Sequence, residues 1–338
     1  MFRTLLSLSL VSLISFSTQA EQQKPSFADY TAALKQEALS KGYAPELIEP
    51  VFASLTYHER IVKADQTQPE VVETLSTYLP KRVSETRISM ARERYQAYLP
   101  QLNDIAEKYG VPGRFIVALW GLESSFGRIM GNESVPSALV TLAYDGRRES
   151  FFKQEFYHAL DILAQGHISL AQMKGSWAGA MGQSQFMPSS FIAYAEDGDG
   201  DGKKDIWTNQ ADVFASIANY LKQQGWDKSK TWGREVILPA GFDATNAIAR
   251  GSLKRSEWLE RWALSERSLA DWNALGVTRL NKTALPQRDI SAALVLPDGE
   301  GGRAFLAYDN YKVLMHWNRS YYFVTSVGYL ADLIIAPE

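Results

Sequence analysis

The sequence predicts a mainly α (α+β) protein. Apolar residues recur at helical spacing through most of the chain, and Phe115 to Leu122 is apolar on every side. Runs of β type are short and confined to the part after Trp226. A chain of 338 residues, 46% hydrophobic and 22% charged, has the balance of a globular protein and a length for about two domains. No repeat and no low-complexity linker interrupts it.

Residues 1–20 form the first element. Met1-Phe2-Arg3 is a short basic start, Leu5 to Phe16 an apolar run, and Thr18-Gln19-Ala20 a small-residue cleavage site. The run is short for a bilayer span and reads as a signal peptide removed near Ala20, which makes the mature protein periplasmic or secreted. The alternative is an uncleaved N-terminal anchor. No Cys follows, so neither lipid attachment nor a disulfide is expected. No transmembrane segment is expected after signal removal.

Residues 21–95 read as a helical region. Phe27 to Ala38 has helical spacing, and Pro45 opens a second helix through Leu47, Ile48, Val51 and Phe52. A polar stretch, Lys63 to Pro69, leads into Val71–Leu79, which Pro80 interrupts. Arg87 to Lys108 predicts one long helix with Ile88, Ala91, Tyr95, Tyr98 and Leu99 on one side. Residues 96–230 read as the core, with a fully buried helix at Phe115–Leu122 and further helices at Ser150–Gln165 and Ala211–Gln224. Residues 231–310 read as a small α/β insertion. Its short strands are Val236–Leu238, Ala292–Leu296 and Ala304–Tyr308, around a helical piece at Glu257–Leu275. Val313-Leu314-Met315 also reads as a strand, after which residues 311–338 return to the core through a helix at Tyr321–Ile334.

A formal net charge of −3 supplies no basic field, so nucleic acid is not an expected partner. The aromatic fraction of 12% suits stacking against sugar rings as well as packing a core. Glu123 stands out as the only charge between Arg114 and Arg128, at the end of an apolar run. A carboxylate near a helix C-terminus faces the negative end of the helix dipole, which disfavours ionisation. Burial beside Trp120 and Leu122 disfavours it further. A Glu held partly protonated near neutral pH can act as a general acid. The competing reading is a Glu that escapes to solvent where the helix frays.

Glu123-Ser124-Ser125-Phe126-Gly127 resembles the E-S-x-F-G motif of lysozyme-like lytic transglycosylases. Gly175-Ser176-Trp177-Ala178-Gly179-Ala180-Met181-Gly182 runs on into Gln183-Ser184-Gln185-Phe186-Met187-Pro188-Ser189-Ser190. Its small residues permit close backbone approach, while Ser176 and Gln185 offer neutral hydrogen bonds to sugar hydroxyls and acetamides. Together these strings resemble the lytic murein transglycosylase B family, glycoside hydrolase family 103, from Gln68-Pro69-Glu70 to Trp317-Asn318-Arg319-Ser320 and the final helix.

The resemblance implies a lysozyme-like helical core and peptidoglycan glycan strands as substrate. The bond between N-acetylmuramic acid (MurNAc) and N-acetylglucosamine (GlcNAc) would be cut without water, the muramic 6-hydroxyl closing a 1,6-anhydro ring. Glu123 matches the single catalytic acid and base. Ser176 and Gln185 match residues that contact the substrate, and Arg147 and Arg148 match a paired-Arg site for lactyl or peptide carboxylates. Arg147 and Arg148 also read as an exposed basic turn. Tyr78, Tyr220, Asn318 and Tyr322 match further cleft positions. Phe151 and Trp317 stand where members of the family have Tyr. A hydrolytic muramidase and a catalytically inactive glycan-binding protein are the alternative functions, and cell-wall synthesis complexes are candidate partners.

Asp197-Gly198-Asp199-Gly200-Asp201-Gly202 places three carboxylates at alternate positions with Gly sixth, the start of an EF-hand-like calcium loop spanning 197–212. Lys203 would contribute its carbonyl. Position twelve is Thr208 rather than Glu, and Asp212 is the substitute; in the family a similar site closes with an Asp at this slightly later place. Calcium is the expected structural ion, sodium could occupy the same oxygens, and the competing reading is a solvated acidic turn. No organic cofactor is expected.

Overall fold

A computed structural model describes residues 24–67, 73–249 and 255–336. The expected signal peptide, 1–20, lies outside the described residues. Helices come first: α1 (Phe27–Ser40), α2 (Pro45–Ala53), α3 (Glu59–Gln66), α4 (Leu75–Arg82), α5 (Glu85–Ala97), α6 (Leu99–Tyr109) and α7 (Gly113–Ser124). Strand β1 (Glu133–Ser134) precedes α8 (Val135–Asp145) and α9 (Glu149–Ala164), and pairs antiparallel with β2 (Lys174–Gly175). Then come α10 (Pro188–Tyr194) and α11 (Gln210–Gln223). Ser26, Ser84, Ser134 and Ser320 each accept a backbone N–H at a helix start, satisfying donors the helix itself leaves open.

Several sequence expectations are corrected. The helix expected over Arg87–Lys108 is two, α5 and α6, broken at Tyr98, and Pro100 in the first turn of α6 has no N–H to continue the ladder. The polar stretch from Lys63 continues α3, which buries Ile61, Val62 and Asp65. Pro80 sits inside the last turn of α4 instead of ending it. Val313–Met315 is not a strand. All three residues are buried in α14 (Asp309–Trp317), and a short apolar run reads alike in a buried helix and a buried strand.

Helix α7 is the centre of the fold, packed against α5, α6, α11 and α15 (Tyr321–Ile335). Every residue from Phe115 to Gly121 is buried, which is why the segment is apolar all round. Each large apolar side chain fully withdrawn from water there contributes about 1.5–3 kcal/mol.

Between α11 and α14 run β3 (Gly233–Ile237), β4 (Ile248–Ala249), α12 (Arg255–Ser265), β5 (Arg267–Ser268), α13 (Leu269–Ala274), β6 (Thr278–Arg279), β7 (Ser291–Leu296) and β8 (Ala304–Ala307). The strand order is β4-β7-β8-β3-β6 with β5 paired to β7; the β4–β7 pair is parallel and the others antiparallel. Alternation along the inner strands divides two cores. Ala293, Val295, Phe305 and Ala307 face the main helical core. Ala292, Leu294, Leu296, Ala304 and Leu306 face a second cluster with Leu269 and Trp272. Both faces of β7 and β8 are thereby covered, which accounts for their unbroken apolar sequence. The single helix expected over Glu257–Leu275 is α12 and α13, separated by β5. Among the described residues no helix is long and apolar enough to cross a membrane.

Candidate active site

The end of α7 sets the site. After Ser124 the chain passes through Ser125, Phe126 and Gly127 with φ of 51°, 60° and 79°, all left-handed. Two of these are not Gly, at a cost of roughly 1–2 kcal/mol each. Local bonds hold the turn: Phe126 N donates to Trp120 O at 3.3 Å and Gly127 N to Ser124 Oγ at 3.0 Å. The Phe126 ring stands edge-on to Trp120, with centroids 5.3 Å apart. Gly127 has no substitute here, because a Cβ would lie 2.5 Å from Gln183 Oε1. That same Oε1 accepts Trp120 Nε1 at 2.7 Å, while Gln183 Nε2 donates to Trp207 O at 2.9 Å. The motif turn and the Gly-Gln segment are therefore clamped together, and Glu123 is fixed in the last turn of α7.

Glu123 is partly covered, and its carboxyl is crowded by protein with no cationic partner among the described residues. Burial pushes its pKa from 4.5 up to about 7, and the opposing influence is an N–H from Trp317. Trp317 Nε1 donates to Glu123 Oε1 at 2.7 Å. The expectation of a Glu that holds a proton near neutral pH matches this environment.

The other expected site residues fall into groups. Tyr220 and Phe186 brace Trp317, with ring centroids 4.8 and 5.3 Å from it. The Tyr220 hydroxyl donates to His316 O at 2.8 Å. Gln185, at φ 51°, donates its Nε2 to Met130 O and Gly182 O, at 3.1 and 2.8 Å. Ser176 accepts Ala180 N at 3.0 Å in the turn after β2. Tyr78, held protonated by burial, feels the Glu123 charge and packs against Tyr322 at 5.3 Å. Tyr322 donates its hydroxyl to Glu73 O at 2.8 Å and to Asp298, which in turn accepts Leu75 N at 2.8 Å. Asn318 is exposed next to Trp317 and accepts Ser320 N at 3.1 Å. Arg147 and Arg148 sit apart, both on the buried carboxylate of Asp65; Arg148 is 2.7 Å from it, and its guanidinium lies 4.7 Å from the Phe152 ring centroid. About half of each Arg side chain stays exposed.

In the acidic loop, carboxylate oxygens of Asp197, Asp199 and Asp212 lie within 4.8 Å of one another. Asp212 is fully buried, accepts Gly198 N and Asp205 N at 2.7 and 2.6 Å, and is pushed up to about 6, by burial first and by Asp199 and Asp197 further. Gathered carboxylates with one member buried suit a hard cation with oxygen ligands. Asp201 stands outside this trio, its Oδ1 accepting Lys203 N at 2.8 Å. Asp205 turns to the start of the next segment, accepting Trp207 N and Thr208 N.

Residues 26–332 match the family model described as the Transglycosylase SLT domain. The chain belongs to that family. It is 31% identical over 241 residues to membrane-bound lytic murein transglycosylase B of Escherichia coli, a match covering 71% of this chain and 62% of that protein. The match thus spans about three fifths of that relative's length. SltB3 of Pseudomonas aeruginosa, solved with NAG-NAM-pentapeptide, is similar over 92% of this chain and 80% of its own, at 37% identity and a TM-score of 0.85. A second structure of it, with NAG-anhNAM-pentapeptide, covers 91% of this chain and 79% of its own, at 38% identity and a TM-score of 0.83. The E. coli lytic transglycosylase Slt35, solved with calcium, covers 95% of this chain and 98% of its own, at 25% identity and a TM-score of 0.74.

Sequence reasoning missed three residues that shape the site of this SLT-domain protein. Asp65 anchors the Arg pair, and its one signal is its place four residues after Ile61 on the buried face of α3. Gln183 clamps the motif turn, although it lies within the Gly175–Ser190 segment that carries Ser176 and Gln185. Asp298 ties Tyr322 to α4 across a separation of 223 residues, for which the sequence carries no signal.

Proposed function

We propose that the protein is a lytic transglycosylase of peptidoglycan that cuts the MurNAc–GlcNAc β-1,4 bond, with Glu123 as its single acid and base. One observation carries this: a carboxyl at the end of α7 that burial raises to about 7, with no other carboxylate acting on it among the described residues. Protonated Glu123 gives its proton to the glycosidic oxygen as the bond from muramic C1 breaks. The resulting carboxylate takes the proton of the muramic 6-hydroxyl, whose oxygen bonds to C1 and closes the anhydro ring. One group serves both steps because the nucleophile belongs to the substrate, so no second carboxylate is required. The SltB3 complexes with NAG-NAM- and NAG-anhNAM-pentapeptide support this reading.

Tyr78, Ser176, Gln185, Tyr220, Asn318 and Tyr322 would line the glycan cleft, Gln185 offering an Oε1 that bonds none of the described residues. The half-exposed guanidiniums of Arg147 and Arg148, oriented by Asp65, would meet lactyl or peptide carboxylates. Asp197, Asp199 and Asp212 would hold a structural calcium, joined by Asp201 and the Lys203 carbonyl as the loop closes, a reading supported by the calcium-bound Slt35 structure. The ion would pin the segment between Gln185 and Tyr220. The protein would work in the periplasm or outside the cell after removal of residues 1–20. Digestion of purified peptidoglycan followed by mass spectrometry tests the reaction: anhydro-ended fragments are expected, and reducing ends as the sole product would assign a hydrolase.

A further inference from the structure

We infer that Trp317 is a positioning residue that assigns the two oxygens of Glu123 different duties, Oε1 as a fixed anchor and Oε2 as the sole carrier of the transferred proton. This rests on Glu123 being the acid and base. The indole N–H donates and never accepts, so Oε1, 2.7 Å from Trp317 Nε1, must be the acceptor whether the carboxyl is charged or neutral. A protonated Oε1 would be a poorer acceptor for the indole N–H than a carbonyl-type Oε1, which favours the proton on the other oxygen. The proton therefore resides on Oε2, which has no protein partner among the described residues and is free to meet a glycosidic oxygen.

The donor is itself held in place. Trp317 ends α14, its ring wedged between Phe186 and Tyr220 at 5.3 and 4.8 Å. The Tyr220 hydroxyl bonds the carbonyl of the preceding residue, His316, at 2.8 Å. A carboxyl free to rotate would present either oxygen; this one is set before substrate arrives, which is where positioning lowers a barrier. Among the described residues, the other titratable groups near the pair are Tyr78 and Tyr220, both kept protonated by burial, and His316, kept neutral by burial and by Arg255 and Arg319. None of the three gains charge as pH rises through neutrality, so an alkaline limb in that range reports Glu123.

The test is the pH profile of kcat and kcat/KM for wild type and Trp317→Phe on a soluble glycan-peptide substrate. Losing a donor to the charged form should move the alkaline limb up by about one pH unit. Losing the fixed orientation should lower the plateau of kcat about tenfold. Replacing Trp317 site-specifically by benzothienylalanine, which keeps the fused ring but has sulfur in place of N–H, gives the same readings if Trp317→Phe folds poorly. A limb that stays in place, or an unchanged plateau, would overturn the inference. Glu123→Gln is run alongside: its retaining activity would remove the acid/base reading itself, whereas an inactive Glu123→Gln with an unmoved Trp317→Phe limb removes only the role of Trp317.

Discussion

Replacing Glu123 by Gln is expected to stabilise the folded protein at about pH 8 while leaving its stability near pH 4.5 unchanged. Burial lifts the proton affinity of Glu123 from 4.5 to about 7. Between those values the folded chain keeps a proton that the unfolded chain has released, so stability falls as pH rises through the window. Above it the full cost is present: about 2.5 pH units at ~1.4 kcal/mol each, on the order of 3 kcal/mol. Gln cannot ionise, and its amide oxygen still accepts the Trp317 N–H, so the variant escapes the cost without losing that bond. In a chain of this size about 3 kcal/mol corresponds to roughly 5 °C in Tm. Thermal melts of both proteins at about pH 4.5 and pH 8, in constant calcium, read the difference directly. A variant that is less stable at pH 8, or whose advantage is equal at both pH values, would refute the reasoning.

Chelation should lower Tm and added calcium restore it, by about 2.7 kcal/mol of stability at a hundredfold excess over Kd. Asp212→Ala should abolish the response, and a Tm indifferent to both treatments would remove the metal site. Gly131→Ala should cost about 3 kcal/mol or more, because its Cβ would lie 2.1 Å from Gly175 O at a residue with φ of +86°. Gly146→Ala, at φ of +97° but with open space around it, should cost only about 1 kcal/mol; denaturant melts that show equal losses would contradict this.

What the sequence made legible was what local physics decides. Pro45 at a helix start, the all-round apolar run of α7 and the apolar spacing of α1, α9, α11 and α15 each specify an element within its own length. The errors share a cause. Val313–Met315 is too short a run for its period to show, and α3 hides three buried positions among charges. Helix α8 went unread although Ser134 caps it, Pro136 lies in its first turn and Gly146 ends it. The site divides in the same way. Glu123 was legible because its helix and motif are contiguous. Its contact with Trp317 joins residues 194 positions apart, and the Asp298 bridge is longer still, so only the folded chain displays them.

The most direct test of Glu123 as the acid and base is cleavage of purified peptidoglycan by wild type and by Glu123→Gln, each shown folded by its thermal melt. Anhydro-ended fragments should be released by the wild type, while none should be released by the variant even though it still binds glycan. Continued release by Glu123→Gln would contradict the central claim.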